Sequence, residues 1–228
     1  MQRQILVFDA DDTLWENNVL FERVVHDYLE WLAHPTLDRA ALREVLDDVE
    51  RATIAVHGYG SASFLNSLHV CFERLQRRAA TDAERAEITR LAAALVDHEV
   101  ELMPGVAAAL AQLATRHELL LLTKGQAEEQ QRKIDASGLA HHFRSTHIVA
   151  EKVPATYREL VAEQRLAADV TWMIGNSPRS DILAARAAGL RAVFIPHPYT
   201  WSLEEQEIDP ADRGVLHLAR FPELLEHF

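Results

Sequence analysis

Gln4-Ile5-Leu6-Val7-Phe8-Asp9-Ala10-Asp11-Asp12-Thr13 is the stretch on which the fold turns. Apolar residues in succession, without the alternation of a half-wet strand, predict a strand at 4–8 that is buried on both faces. It ends abruptly in three carboxylates, Asp9, Asp11 and Asp12. The run is too short for a signal peptide or a membrane span. Far downstream the pattern returns. Short apolar strands at residues 118–122, 146–149, 170–174 and 192–195 alternate with helices at 106–116, 128–136, 154–164 and 179–188. Pro154 suits a first helical turn, and Gly138 a helix C-terminus. Such alternation implies parallel pairing with helices on both faces, an α/β doubly wound parallel sheet.

Between the first strand and the second the character changes. Residues 19–33 predict an amphipathic helix ended by His34-Pro35, and a second helix follows an Asp38 cap to about residue 56. A third begins near Ser61, after His57-Gly58-Tyr59-Gly60, and a fourth at Thr81, with Glu84 completing a capping-box pattern. No strand signal interrupts them. The expected organisation is therefore a core of residues 1–15 and 103–228, with an all-helical insert at 16–102.

Bulk properties narrow the function. The 228 residues are 48% hydrophobic and 25% charged, an ordinary globular composition. Lys and Arg number 23 against 35 Asp and Glu, a formal charge of -12, which argues against nucleic acid and anionic membranes as partners. An anionic substrate would then need positive charge supplied locally. The lone cysteine, Cys71, excludes an internal disulfide, favours a cytoplasmic setting and reads as buried packing. Twelve histidines lack the paired spacing of a zinc site.

In an open parallel sheet, ligands bind beyond the carboxyl ends of the strands, which is where Asp9-Ala10-Asp11-Asp12-Thr13 falls. The three carboxylates repel one another unless a cation sits among their oxygens, and such hard donors suit Mg²⁺. A carboxylate is also a competent nucleophile toward phosphorus. The plainer reading is a turn that caps the next helix.

Four motifs, in order, resemble those of the haloacid dehalogenase superfamily. Phe8-Asp9-Ala10-Asp11-Asp12-Thr13-Leu14 is similar to its first motif. Leu119-Leu120-Leu121-Leu122-Thr123 resembles the second, Lys152-Val153-Pro154 the third, and Gly175-Asn176-Ser177-Pro178-Arg179-Ser180-Asp181 the fourth. The resemblance spans essentially the whole chain. It implies a Rossmann-like core with an inserted helical cap, and a catalytic set of Asp9, Asp11, Thr123 and Lys152. Asp9 would be the nucleophile and Asp11 the acid and base, while Thr123, Lys124 and Lys152 bind the phosphoryl group. Asp9, Asp11, Asn176 and Asp181 would hold Mg²⁺. Asn176 departs from the family's usual Asp, which puts the detail of coordination in question.

Asp11 points to phosphate-ester hydrolysis, because an alkoxide leaving group needs a proton and a halide does not. The Schiff-base route of phosphonate-cleaving relatives needs a cap lysine, and residues 16–100 contain none. The expectation is a Mg²⁺-dependent phosphatase for a small phosphorylated metabolite, monomeric or homodimeric. A 2-haloacid dehalogenase and a catalytically idle binder of phosphorylated ligands are the alternatives. Trp15, Glu16 and Asn17 would line the site or, for Trp15, pack in the core. The segment Pro196-His197-Pro198-Tyr199-Thr200-Trp201 would form a loop at the site's edge.

Overall fold

The computed structural model describes residues 3–95 and 99–228. The parts of the expected core and insert at residues 1–2 and 96–98 lie outside the described residues. The strands β1 (Ile5–Phe8), β2 (Glu118–Lys124), β3 (Ser145–Val149), β4 (Thr171–Gly175), β5 (Arg191–Phe194) and β6 (Val215–His217) form one sheet of order β3-β2-β1-β4-β5-β6. All its pairings are parallel. The chain leaves β1 on one side toward β2 and β3, and on the other toward β4, β5 and β6. The topological switch point therefore lies at the carboxyl end of β1, where the acidic loop begins.

Strand alternation divides the core. Leu6, Phe8, Leu119, Leu121 and Ile174 point to one face, where they pack with Val106 and Leu110 of α5 (Val106–Leu113) and Ile134 of α6 (Ala127–Ser137). Val7, Leu120, Leu122 and Met173 point to the other, against Tyr157 and Leu160 of α7 (Pro154–Gln164) and Ala184 and Ala185 of α8 (Ala184–Ala187). A one-residue slip of any central strand would exchange these faces, so burial on both sides specifies the register. Both faces of the sheet are covered by helices, as the alternation predicts.

Two differences from the sequence expectation bear on the site. The predicted helix at 179–188 opens with a wide π-helical turn at Pro178–Leu183, in which the N–H groups of Asp181 and Ile182 both reach the Ser177 carbonyl, at 3.0 and 3.2 Å. The edge strand β6 is not foreseen from the sequence. It is three residues long and half-exposed, so it carries no apolar run to detect.

The chain divides into two compact units, residues up to Asn18 with Val100–Phe228, and Val19–Glu99. The second contains α1 (Asn18–Leu32, its first residue apart), α2 (Arg39–His57), α3 (Ser61–Gln76) and α4 (Asp82–Ala92). Among its described residues it has no strand. Asp38 caps α2 by accepting the Ala41 N–H at 2.9 Å, and Thr81 and Glu84 form a reciprocal capping box on α4. Tyr28, Leu46, Leu68, Cys71 and Ile88 form its core. Burial pushes the Cys71 thiol up to about 11, which suits packing and not reactivity. His57-Gly58-Tyr59-Gly60 is the turn between α2 and α3. Arg43, Arg51, Arg78, Arg85 and Arg90 pair with carboxylates of the same unit. Among the described residues no helix is long and apolar enough to cross a membrane.

Candidate active site

β1 stays paired with β4 up to its last step, where the Asp9 N–H donates to the Ile174 carbonyl at 2.9 Å. That bond delivers Asp9 to the switch point on a rigid backbone. The loop then folds back tightly. The N–H groups of Thr13 and Leu14 reach the Ala10 carbonyl, and the Asp12 N–H reaches the Trp15 carbonyl at 2.7 Å.

Lys152 lies just before α7, with its side chain fully buried between two carboxylates. Its ammonium bonds Asp9 Oδ1, and it bonds Asp181 Oδ1 at 2.8 Å. Burial opposes the ammonium, but the charges of Asp181 and Asp9 outweigh that and raise the Lys152 pKa above the usual lysine value. For Asp181, burial first and then the Asp9 charge push the carboxyl up, against the pull of Lys152. A single ammonium serves two buried carboxylates.

The rest of Asp181 is equally constrained. Its Oδ2 accepts the Ser177 N–H at 3.0 Å, so the residue serves its own turn as well as Lys152. The π-helical turn brings it against Gly175. A Cβ at 175 would overlap the Asp181 carboxylate and come within 2.8 Å of its Cβ, so only glycine leaves the aspartate its place.

A set of oxygens gathers on the other side of Asp9. Thr13 Oγ1 donates to Asp9 Oδ2 at 3.0 Å and lies 3.2 Å from Asn176 Oδ1. With its oxygen turned inward, the Asn176 amide faces only acceptors. Turned over, its NH₂ donates to Thr13 Oγ1 at 3.2 Å and to Asp9 Oδ2 and the Asp11 carbonyl at 3.3 Å each. The side chain of Asn176, a carboxylate oxygen of Asp9 and the main-chain oxygen of Asp11 therefore converge on one small space.

Asp11 is held from two directions. Trp15 Nε1 donates to its Oδ1 at 2.7 Å, Gln130 Nε2 to its Oδ2 at 2.9 Å, and Lys133 Nζ reaches both oxygens at 2.7 Å. Burial alone would raise its pKa. The Lys133 charge and the bonds from Lys133, Gln130 and Trp15 outweigh burial and hold it below the ordinary carboxylate range. Thr123, at the end of β2, is buried and donates to Gln130 Oε1 at 3.4 Å, so one amide links it to Asp11. Lys124 bonds Ser180 Oγ at 2.9 Å, the Glu204 carboxylate, and Glu151 at 3.5 Å.

Asp12 serves the loop. Its φ is +62°, and its carboxylate accepts the N–H groups of Asn17 and Asn18, each at 2.9 Å. Burial nevertheless pushes its carboxyl up to about 7. Glu16 meets His197 at 3.1 Å, and the Asn18 amide bonds the Tyr199 carbonyl, so the segment after β5 is tied to the acidic loop. Asp12, Glu16 and His197 form a carboxylate–histidine group in which Asp12 and His197 are buried and Glu16 is partly exposed. Trp15 is in the core, yet its N–H serves Asp11. Of the site residues predicted from sequence, Asp9, Lys152, Asn176 and Asp181 share one cluster, Asp11 and Thr123 meet through Gln130, and Lys124 joins an ion network around Ser180. Sequence reasoning missed Thr13, Gln130, Lys133 and Glu204.

A doubly wound α/β fold with buried aspartates and a lysine converging at its switch point is that of an aspartate-centred hydrolase class. The chain belongs to the haloacid dehalogenase-like hydrolases, whose family model matches residues 4–189. A phosphoserine phosphatase of Thermus thermophilus is 34% identical over 100 residues, which are 41% of this chain and 40% of that protein. The chain thus matches less than half the length of this curated relative. The crystal structure of a haloacid dehalogenase-like family hydrolase from Xanthomonas campestris superposes with a TM-score of 0.81 at 25% identity, covering 99% of this chain and 96% of that one. An L-2-haloacid dehalogenase from Xanthobacter autotrophicus shares the fold at a TM-score of 0.67 and 15% identity, covering 99% and 98%.

Proposed function

We propose that this hydrolase is a Mg²⁺-dependent phosphatase that cleaves a small phosphorylated metabolite through an aspartyl-phosphate on Asp9. The carrying observation is the pairing of Asp9, bonded to Lys152, with a second ordered carboxylate two residues on at Asp11. Displacing an alkoxide from phosphorus uses both groups, whereas displacing a halide uses only the first.

The residues present fit a small hard cation. With the Asn176 amide turned so that its oxygen faces inward the donors are all oxygen, and the two buried carboxylates of Asp9 and Asp181 share the one ammonium of Lys152. Asp9, the Asp11 carbonyl and Asn176 would hold the ion, with Asp181 behind them as the partner of Lys152. Bound there, Mg²⁺ supplies charge stabilisation for the phosphoryl oxygens.

The chemistry of the chain's own groups then runs in two halves. An Asp9 oxygen attacks phosphorus as the bond to the leaving oxygen breaks, and Asp11 gives that oxygen a proton. Water next attacks the phosphorus, Asp11 takes the water's proton, and the bond to Asp9 breaks to release phosphate. The Lys133 charge and the hydrogen bonds that lower the Asp11 pKa favour the carboxylate that this second half uses and oppose the protonated form that the first half uses. Lys152 holds Asp9 in place and offsets the incoming charge, and the Thr123 hydroxyl donates to a phosphoryl oxygen. Lys124, engaged by Ser180 and Glu204, supports the turn that carries Asp181. The lone buried Cys71 supports a cytoplasmic setting.

The test is hydrolysis of an aryl phosphate with Mg²⁺, with EDTA and by Asp9→Asn, alongside halide release from a 2-haloacid. Activity lost with EDTA and in the variant supports the proposal. Equal activity in all three arms, or halide release without ester hydrolysis, refutes it. Ranking phosphorylated metabolites by kcat/KM, O-phosphoserine among them, then identifies the substrate.

A further inference from the structure

The chain has three lysines, Lys124, Lys133 and Lys152. Lys133 is 1% exposed, although it stands in the polar helical run Glu128-Glu129-Gln130-Gln131-Arg132-Lys133 of α6. A buried ammonium is costly unless its partners are close and well aimed. Here the partners are both oxygens of Asp11 at 2.7 Å and Asn17 Oδ1 at 3.0 Å. Gln130, three residues earlier on the same helix and also buried, donates from its NH₂ to Asp11 and accepts the Thr123 hydroxyl on its oxygen. Room for it depends on Gly125, where a Cβ would meet Gln130 Nε2 at 2.8 Å. With the Trp15 N–H, donors from the acidic loop and from α6 engage both Asp11 oxygens.

We propose that Lys133 and Gln130 are positioning residues that fix the orientation of the Asp11 carboxylate, the group that exchanges a proton with the leaving oxygen. The inference rests on the phosphatase reading above. A proton donor works only within about 2.6–3.2 Å of its target, and a misplacement of about 1 Å is enough to cost ~100-fold. Lys133 acts through Asp11, and Gln130 through Asp11 and Thr123.

The test compares Lys133→Met, Lys133→Arg and Gln130→Leu on two esters with Mg²⁺ present. An alkyl phosphate needs its leaving oxygen protonated, and p-nitrophenyl phosphate does not. Lys133→Met is expected to lower kcat ~100-fold on the alkyl ester with KM changed less than ~3-fold, and to lower it less than ~10-fold on the aryl ester. Lys133→Arg, keeping the cation, is expected to recover most of the alkyl-ester rate. Gln130→Leu leaves the buried charge pair intact but also removes the acceptor of the Thr123 hydroxyl, so it should lower both rates, the alkyl-ester rate more. Equal losses on both esters, or none, overturn the proposal. Crystal structures of the wild type and Lys133→Met give a readout that needs no turnover. Asp11 should take one orientation in the first and turn or spread in the second, and an unmoved Asp11 overturns the proposal. A wild type that cleaves neither ester sinks the phosphatase reading instead, and the structures still decide whether Lys133 positions Asp11.

Discussion

Replacing Lys152 with Met tests the charge balance on which the site rests. The methionine preserves much of the volume and removes the only cation among the described residues that is bonded to Asp9 and Asp181. At 2.8 Å and an effective dielectric of ~20, the attraction to Asp181 alone is about 6 kcal/mol before desolvation is counted. Removing one partner of a buried pair typically costs about 3–5 kcal/mol, against a total stability of about 5–15 kcal/mol for a domain. Lys152→Met should therefore destabilise the metal-free protein by about 3–5 kcal/mol at pH 8. Near pH 5 the loss should be smaller, because Asp181, already raised by burial and by Asp9, takes up a proton there.

A second substitution separates charge from shape. Asp181→Asn in the Lys152→Met background leaves one buried carboxylate in place of two and should recover about 2 kcal/mol. It should not recover activity, since kcat on an aryl phosphate stays at least ~100-fold down without the ammonium. Urea unfolding followed by circular dichroism measures the first quantity, and steady-state kinetics with Mg²⁺ the second. If the double variant is no more stable than Lys152→Met, uncompensated negative charge is not what the lysine relieves. The reasoning about the trio, and with it the case for a cation, then fails.

Other consequences are independent of that one. The Asp12 pKa of about 7 lies above the ordinary 3.8, so the folded state holds a proton that the unfolded state has lost. That contribution is complete below pH ~4 and vanishes as pH rises through 7, which predicts a loss of about 2–3 kcal/mol between pH 5 and 8 in EDTA. Asp12→Asn should flatten that slope in pH-dependent urea melts, and an unchanged slope would assign it to other groups. Gly175→Ala must displace Asp181, so it should cost about 1–3 kcal/mol in stability and lower kcat at least tenfold. Thr81→Ala removes the cap of α4 and should cost about 1 kcal/mol with kcat unchanged.

Much of the core was legible because burial writes itself into strands. Leu6 and Phe8 go to one face and Val7 to the other, and an uninterrupted apolar run is the only pattern that satisfies both. Asp9, Thr123, Lys152 and Asp181 were legible for a related reason. Each stands at or just past the end of such a run, where a polar residue has a ligand or a turn to serve. Asp181 bonds both Lys152 and the Ser177 N–H, so its place in the first turn of its helix does not keep it from the site. Gln130 and Lys133 were not legible. Inside a helix, a polar stretch reads as a solvated face, and only the fold reveals that two of its residues turn inward. The π-helical turn was equally hidden, because its cause is a tertiary one, the seating of Asp181 against Gly175.

The distribution of basic residues carries the argument one step further. Of 23 Lys and Arg only three are lysine, and all three lie at the carboxyl end of the sheet against carboxylates: Lys152 on Asp9 and Asp181, Lys133 on Asp11, Lys124 on Glu204. The helical unit, by contrast, makes its surface ion pairs with arginine, as at Arg51, Arg85 and Arg90. An ammonium is a compact charge on a thin stem that can be threaded between two acids, whereas guanidinium presents a planar fork. A chain with a formal charge of -12 repels an anionic substrate at long range. Attraction must then come from charges that act only at contact, in a dry site where screening by salt is weak. Catalysis should accordingly depend little on ionic strength. A kcat/KM for an aryl phosphate that falls by more than ~10-fold between 0.05 and 0.5 M salt would contradict this placement of charge.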